Sequence, residues 1–262
     1  MKFSNLQNYA FLARHFRNAP ILVQSARTSR PCHAAVLWNG TRVIHPAEQG
    51  GLVGTLLELW KERCYTGQGF YTPKQGDTIV DAGAHVGLFS IRMARKAPGC
   101  RIIALEPHTD NYHCLAVNAA SAGLTNFHPY RMALAGRFGA ARVEPQTDRS
   151  IDHRLQSRSW GAGTVPTVPL EGLLPLAGSR TVALLKVDIE GAEKDAFGRA
   201  SRETLERFER IAVEYHNHLE PGCLETLIRS LSATHSIEIN PTGDRGYGIL
   251  RATLRQRSIR VM

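Results

Sequence analysis

Short apolar runs alternate with amphipathic stretches over most of this chain. Five runs after Gly76 are long enough for buried strands, and three of them are followed by apolar residues at helical spacing. The predicted strands are Thr78–Asp81, Arg101–Glu106, Phe127–Ala133, Val182–Asp188 and Arg210–Glu214, and the predicted helices are Leu88–Lys96, Asp110–Ala122 and Glu193–Phe208.

This order predicts the fold class, an α/β protein with a doubly wound, mostly parallel sheet. Strands that alternate with helices form parallel βαβ units with right-handed crossovers. Two later runs, His235–Asn240 and Gly246–Leu254, predict an antiparallel edge. We therefore expect residues 65–262 to form the main domain.

Residues 1–64 are predicted to form an N-terminal extension with a helix, a hairpin and a second helix. Two β-type runs, Ala34–Trp38 and Thr41–Ile44, flank an Asn-Gly pair, which is typical of a hairpin turn, and Leu52–Arg63 has a helical pattern. Apolar residues also recur at helical spacing from Phe3 to Phe16.

The first 47 residues contain no Asp or Glu. An acid-free amphipathic start is typical of mitochondrial transit peptides and of membrane-surface helices. The interpretation we favour is a helix that packs over the main domain, because the apolar pattern continues beyond Pro20.

The segment 136–169 interrupts the alternation of strands and helices. It is rich in Arg, Ser, Gly and Pro, and it is too long for an ordinary connection. We expect it to be an inserted loop near the rim of the functional site.

Composition restricts the class of protein and its compartment. The 262 residues carry a net charge of +9, which suits nucleic acid, anionic membrane or a phosphorylated substrate, but the arginines are scattered and form no run. The five cysteines include no CxxC pair, which argues against a disulfide framework or a zinc site. No apolar run reaches the roughly 20 residues that cross a bilayer. These features favour a cytoplasmic protein without a transmembrane segment.

A glycine-rich turn follows the first predicted strand. In a doubly wound sheet this turn meets the ligand, and an acid that ends the second strand, here Glu106, can bind a ribose diol. Glycine lets the backbone turn tightly and approach a ligand closely. The residues expected to bind a cofactor are Asp81, Gly83, Ala84, His85, Gly87, Glu106, Pro107 and Met132.

Two features of this turn favour S-adenosylmethionine over a dinucleotide. The turn opens with an acid, Asp81, which would repel a pyrophosphate but suits the ammonium and sulfonium of S-adenosylmethionine. Its glycines also have the spacing G-x-x-x-G rather than G-x-G-x-x-G. The alternatives without a ligand are that Asp81 caps a helix and that Glu106 is an ordinary strand-end acid.

Four strings in the sequence resemble the FkbM family of methyltransferases. They are Val80–Gly87, Leu105-Glu106-Pro107, Leu185–Glu193 with its Lys-x-Asp-x-Glu-Gly-Ala-Glu pattern, and Val213–His216. The resemblance covers about residues 65–216, and Thr167–Leu170 also fits, although Glu171 stands where the family usually has Asp. It implies methyl transfer from S-adenosylmethionine to oxygen, typically a hydroxyl of a sugar or polyketide-like small molecule.

Polar side chains end the fourth and fifth predicted strands, where ligands of open α/β sheets lie. The candidate catalytic residues are Lys186, Asp188, Glu214 and His216. We expect His216 to be the general base, because the ordinary imidazole pKa is near 6.5. Asp188 is the alternative base, or it orients the hydroxyl or the cofactor ammonium, and Lys186 holds a developing alkoxide or pairs with Glu214. The non-catalytic alternative is a salt-bridged rim in which Glu193 caps the next helix.

Two further alternatives concern the metal and the acceptor. Asp188, Glu190, Glu214 and His216 are also a ligand set that suits Mg²⁺, but we expect a metal-free site. We expect a small-molecule hydroxyl acceptor, with RNA as the alternative and a binding-only protein as a third hypothesis. The Asn/Asp-Pro-Pro-aromatic string of amine methylation is absent after the fourth strand, which ends in Asp188-Ile189-Glu190-Gly191.

Overall fold

A computed structural model of the chain describes residues 6–28, 30–46, 51–145, 153–158, 161, 163–242 and 246–256. The helices are α1 (Leu6–His15), α2 (Ala19–Thr28), α3 (Leu52–Leu56), α4 (Leu88–Lys96), α5 (Thr109–Ser121), α6 (Leu170–Ala177), α7 (Glu193–Gly198), α8 (Arg202–Leu205) and α9 (Cys223–Leu231), and Leu57–Glu62 continues α3 as a π-helical segment. The strands are β1 (Ala34–Val36), β2 (Arg42–Ile44), β3 (Thr78–Ala82), β4 (Arg101–Leu105), β5 (Phe127–Tyr130), β6 (Ala133–Leu134), β7 (Gly139–Pro145), β8 (His153–Arg158), β9 (Thr164–Val168), β10 (Leu184–Val187), β11 (Arg210–His216), β12 (His235–Pro241) and β13 (Tyr247–Leu254).

The central sheet has seven strands in the order β12-β13-β11-β10-β3-β4-β5. The five strands from β11 to β5 are parallel, and β13 pairs antiparallel with both β11 and β12. From β3 the chain builds outward to β5 on one side and later to β11 on the other. The strand order therefore reverses between β3 and β10, which is where an open α/β sheet binds its ligand. The predicted doubly wound fold with an antiparallel edge is confirmed.

Both faces of this sheet are covered by apolar side chains. Every residue of β3 is buried, and its successive residues Ile79 and Val80 belong to different hydrophobic clusters. Strand residues alternate between the two faces of a sheet, so a strand buried on both faces has a continuous apolar run instead of an alternating pattern. One cluster includes residues of α1 to α5, and the other includes residues of α6 to α9.

The N-terminal segment packs on the first of these clusters. The rings of Phe16 and Trp60 lie 5.5 Å apart, and the Trp60 indole donates a hydrogen bond to the Leu88 carbonyl at the start of α4. The predicted hairpin forms around Asn39-Gly40, and the side chain of Asn118 in α5 bonds both the amide and the carbonyl of Ile44. The hydrophobic core is thus continuous across residue 64, and the division into 1–64 and 65–262 stays a prediction.

The segment 136–169, which was expected to be a loop, contains three strands. β7 pairs antiparallel with β8 and β9, β9 pairs parallel with β6, and the four strands form a second sheet. The strands could not be predicted from the Arg-, Ser- and Gly-rich composition, because β7 has few of the branched apolar residues that are typical of strands. Residues 146–152, 159, 160 and 162 of the segment lie outside the described part of the chain. Val143 of β7 reaches the cavity wall described below.

Three predicted elements are divided in the structure. Phe127–Ala133 was expected to be one strand, but β5 and β6 belong to different sheets. Glu193–Phe208 was expected to be one helix, but α7 ends at Gly198, and Ser201 begins α8 by accepting a hydrogen bond from the Thr204 amide. The predicted helix 52–63 changes to π geometry after Leu56. Within the described residues, no helix is both long and apolar enough to span a membrane.

Candidate active site

A cavity of about 200 Å³ opens at the carboxyl ends of the central parallel strands. Its wall includes residues that directly follow β3, β4 and β10, and one residue of β11. The π-helical segment and the first residues after it close the cavity on another side. The nine predicted site residues that line it are Gly83, Ala84, His85, Glu106, Pro107, Met132, Lys186, Asp188 and Glu214.

The turn after β3 is folded tightly against the turn after β10. Gly83 has a φ of 75°, and a Cβ atom added there would lie 1.7 Å from the Asp188 carbonyl oxygen. Only glycine fits this close approach of two backbones. The amides of Gly83 and Ala84 both donate to the Leu105 carbonyl, so the turn is also tied to the end of β4.

Glu106 is held at one end of the cavity by backbone amides. The amide of His85 donates to its Oε2 at 2.8 Å, and the amide of His108 donates to its Oε1 at 2.9 Å. Burial raises the pKa of Glu106 to about 7, although these hydrogen bonds and one from the Asn111 side chain favour the charged form. The carboxyl group is therefore fixed in orientation and lies in the cavity wall, beside the apolar side chains of Pro107 and Met132.

Asp81 lies beneath the cavity and is not part of its wall. It is fully buried, accepts a hydrogen bond from Ser90 and forms an ion pair of 3.2 Å with Lys186. Lys186 in turn donates to the Gly83 carbonyl at 2.7 Å. Burial alone would lower the pKa of Lys186, but Asp81 and Asp188 outweigh it and raise that pKa. Asp81 thus fixes Lys186 and the glycine turn, and its predicted contact with the cofactor stays a prediction.

The opposite end of the cavity is acidic, and it lies where β10 and β11 end, on the other side of β3 from Glu106 and β4. Asp188 is 28% exposed and lies 3.6 Å from the Lys186 ammonium. The Tyr65 hydroxyl lies 3.0 Å from Asp188 Oδ2 and 2.6 Å from Glu214 Oε2. Burial and the Asp188 charge raise the pKa of Glu214 to about 8, and the same two causes raise the pKa of Glu58 to about 7. Several carboxyl groups therefore lie close together at this end, and the Lys186 ammonium is their neighbouring cation.

His216 is buried between two carboxylates and lies outside the cavity wall. Its Nδ1 is 3.0 Å from Glu193 Oε1, and its Nε2 is 3.4 Å from Glu190 Oε2. Burial opposes its charged form, but Glu193 and Glu190 outweigh burial and raise the pKa of His216 to about 10. An imidazolium cannot accept a proton, so this geometry favours Asp188 over His216 as the general base, and the role of His216 stays a prediction.

Asp188, Glu190 and His216 place one possible ligand atom each within 4.8 Å of one another. Glu214, the fourth residue of the metal alternative, bonds Tyr65 instead. Glu193 and Glu190 raise the pKa of His216 to about 10, which favours an imidazolium over the neutral imidazole that a metal ion would need. The metal-free site therefore stays our prediction.

Gly87 also lies outside the cavity wall. It is the N-cap residue of α4 with a φ of 86°, and an added Cβ would lie 2.7 Å from Leu115 Cδ1. Gly87 is therefore required for helix packing, and its predicted contact with the cofactor stays a prediction. Three residues that line the cavity were not predicted from the sequence, namely Glu58, Tyr65 and Asn111. Asn111 was within reach of prediction because it follows Glu106 closely, whereas the other two lie far along the chain from the strand ends they face.

The strand order, the antiparallel edge and a cavity at the point where the order reverses define a class I S-adenosylmethionine-dependent methyltransferase fold. A putative rRNA methylase from Clostridium thermocellum has this fold, with a TM-score of 0.50 and 10% identity over 76% of this chain and 97% of that chain. Residues 81–241 match the model of the methyltransferase FkbM domain. The chain therefore belongs to the FkbM family of methyltransferases, as the motifs in its sequence indicated.

Curated relatives agree with this assignment. Methyltransferase sdnD of Sordaria araneosa is 26% identical over 220 residues, which are 72% of this chain and 82% of the relative. The 31-O-demethyl-FK506 methyltransferase FkbM of Streptomyces tacrolimicus is 24% identical over 209 residues, which are 68% of this chain and 80% of the relative. The protein is an S-adenosylmethionine-dependent methyltransferase of the FkbM family.

Proposed function

We propose that the protein binds S-adenosylmethionine in this cavity and methylates a hydroxyl oxygen of a small-molecule acceptor. The observation that carries the proposal is the division of one cavity into two ends. Glu106 stands at one end, held by backbone amides, and Asp188 and Glu214 stand at the other. A ribose diol suits the first end, and a hydroxyl that must lose a proton suits the second.

The residues at the Glu106 end fit the adenosine part of the cofactor. The amides of His85 and His108 fix the carboxyl group, and further lone pairs of its oxygens can accept two hydroxyl hydrogens. Pro107 and Met132 offer apolar surface beside it for the adenine ring. Towards the other end, Glu190 in the wall supplies negative charge for the ammonium and sulfonium groups.

Bound S-adenosylmethionine supplies an electrophilic methyl carbon, so its C–S bond breaks as the C–O bond to the acceptor forms. The acceptor hydroxyl loses its proton in this step, and a positioned base is worth about 10²- to 10⁴-fold in rate. We assign the base to Asp188, the alternative named from the sequence, because it lines the cavity and is partly exposed. Lys186 lies 3.6 Å away and places a positive charge beside Asp188.

Two observations support a small hydroxyl acceptor over RNA. The acceptor end carries Asp188 and Glu190, and carboxylates repel a phosphate backbone. The name of one relative, 31-O-demethyl-FK506 methyltransferase, describes methylation of an oxygen. The likeness to the rRNA methylase concerns the fold alone.

The test is transfer of a labelled methyl group from S-adenosylmethionine to separate pools of polyketide-like alcohols, sugars, glycolipids and RNA. We expect label in a small hydroxyl compound, with the new methyl assigned to oxygen by NMR, and loss of that label with Asp188→Asn. Exclusive labelling of RNA, or of a nitrogen or carbon atom, would overturn the proposal.

A further inference from the structure

Tyr65 lies between Asp188, which follows β10, and Glu214 of β11. It comes from the turn after the π-helical segment. Its side chain is buried, and its ring meets the ring of Phe89 edge-on, with centroids 6.0 Å apart. The Lys186 ammonium lies 5.2 Å from the centre of the Tyr65 ring, within the range of a cation–π contact. These contacts fix the position of the hydroxyl group.

The hydroxyl is within hydrogen-bond distance of two carboxyl groups, at 3.0 Å from Asp188 Oδ2 and 2.6 Å from Glu214 Oε2. A phenol has one proton to donate, and its oxygen can also accept one. If both carboxyl groups were ionised, one of these two contacts would place two oxygens together without a proton between them. Both contacts become hydrogen bonds when one carboxyl group is protonated and donates to the phenol oxygen.

Glu214 is the better candidate for the protonated member. Lys186 stabilises charge on Asp188 at 3.6 Å, and Asp188 is partly exposed to water. Burial and the Asp188 charge raise the pKa of Glu214 to about 8. The chain of donors then runs from the Glu214 carboxyl group to the Tyr65 oxygen, and from the Tyr65 hydroxyl to the Asp188 carboxylate.

We infer that Tyr65 is a positioning residue that joins Asp188 and Glu214 into a carboxyl pair sharing one proton, in which Glu214 is neutral and Asp188 is the proton acceptor. The inference rests on the proposed function for the role of Asp188 as the base, but the shared proton itself does not depend on catalysis. In the methyl-transfer step the acceptor proton goes to Asp188, whose orientation is fixed by the Tyr65 hydroxyl. The proton is released from Asp188 to solvent once the product leaves.

Other titratable groups surround the pair and contribute to its pH dependence. Glu58 raises the pKa of Glu214, and the charge of His216 lowers it. Cys64 is a neutral neighbour, because burial raises the pKa of its thiol. Lys186 faces both carboxyl groups. The proton on Glu214 should therefore be lost as the pH rises through about 8, after which both members are charged.

The first test compares Tyr65→Phe with Tyr71→Phe. Tyr71 is a matched control because it is also buried and donates its hydroxyl to a carboxylate, Asp77, outside the cavity wall. We expect Tyr65→Phe to lower kcat about 10- to 100-fold, since a misplaced catalytic group has effects of this size, with the S-adenosylmethionine Kd within about twofold of wild type. In an Asp188→Asn background, Tyr65→Phe should add nothing further. An additive loss, or an equal loss with Tyr71→Phe, would overturn the inference.

The second test needs no acceptor and no turnover. Infrared difference spectra between wild type and Glu214→Gln at pH 7 should contain the carbonyl stretch of one protonated carboxylic acid, which disappears as the pH is raised above about 8. Tyr65→Phe should shift that band, because the acid loses its hydrogen-bond partner. Absence of the band at pH 7 would show that Glu214 is ionised and would overturn the shared proton, whereas a protein with the band but without methyl transfer would contradict only the proposed function.

Discussion

The two ends of the cavity hold their carboxyl groups in different ways. Glu106 is held by backbone amides of His85 and His108, which belong to turns that directly follow neighbouring strands. Asp188 and Glu214 are held by side chains, Lys186 from the strand that Asp188 follows and Tyr65 from a distant part of the sequence. A carboxyl group held by backbone depends on the turn and tolerates changes to nearby side chains. A carboxyl group held by side chains can be disturbed by a single substitution.

The largest effect is expected at the acidic end, with Asp188→Asn. Loss of the proton acceptor should reduce kcat about 10²- to 10⁴-fold. The asparagine keeps the size of the side chain and can still bond Tyr65, so the S-adenosylmethionine Kd from calorimetry should stay within about twofold. A large loss of cofactor affinity with normal turnover at saturation would reverse the assignment of the two ends.

The next prediction concerns His216, whose imidazolium lies next to the acidic end of the cavity and is removed in His216→Gln. Glu193 is fully buried, and without the imidazolium its charge is no longer compensated. Breaking a buried ion pair in this way costs about 3–5 kcal/mol of stability, which urea unfolding would measure. The folded fraction should keep cofactor affinity. If unfolding is unchanged while kcat collapses about 10²-fold or more, His216 acts in the reaction and the structural role is wrong.

At the other end, Glu106→Ala should weaken S-adenosylmethionine binding and leave the fold intact. Each charge-assisted hydrogen bond to a ribose hydroxyl is worth about 1.5–3 kcal/mol, which predicts a Kd roughly ten- to a hundredfold higher or more. Asp110→Ala is the matched control, an exposed acid in the first turn of α5. Equal Kd values for Glu106→Ala and wild type would place the ribose elsewhere in the cavity.

The smallest effect is expected from removal of metal ions. With the imidazolium of His216 beside Glu190, activity should persist in excess EDTA. Loss of activity in EDTA that is restored by Mg²⁺ would identify Asp188, Glu190 and His216 as ligands, and Asp188 could then not be the free base.

The difference between carboxyl groups held by backbone and those held by side chains also explains which site residues could be predicted from the sequence. The cofactor end depends on short segments that directly follow strands, so Gly83 and Glu106 could be assigned from local pattern and strand order. The acidic end depends on Tyr65 and Glu58, which meet Asp188 only after the extension packs on the sheet. The pairing of His216 with Glu193 likewise joins a strand end to the start of α7. Without knowledge of Glu193, an ordinary imidazole pKa was the reasonable expectation for His216.

The most direct test of the two-ended cavity is a crystal structure with bound S-adenosylmethionine. We predict that both ribose hydroxyls lie within about 3.2 Å of the Glu106 carboxyl oxygens, and that the sulfonium methyl group points towards Asp188 and Glu214. A cofactor bound in the opposite direction, with its methionine part at Glu106 and its ribose at Asp188, would contradict the account.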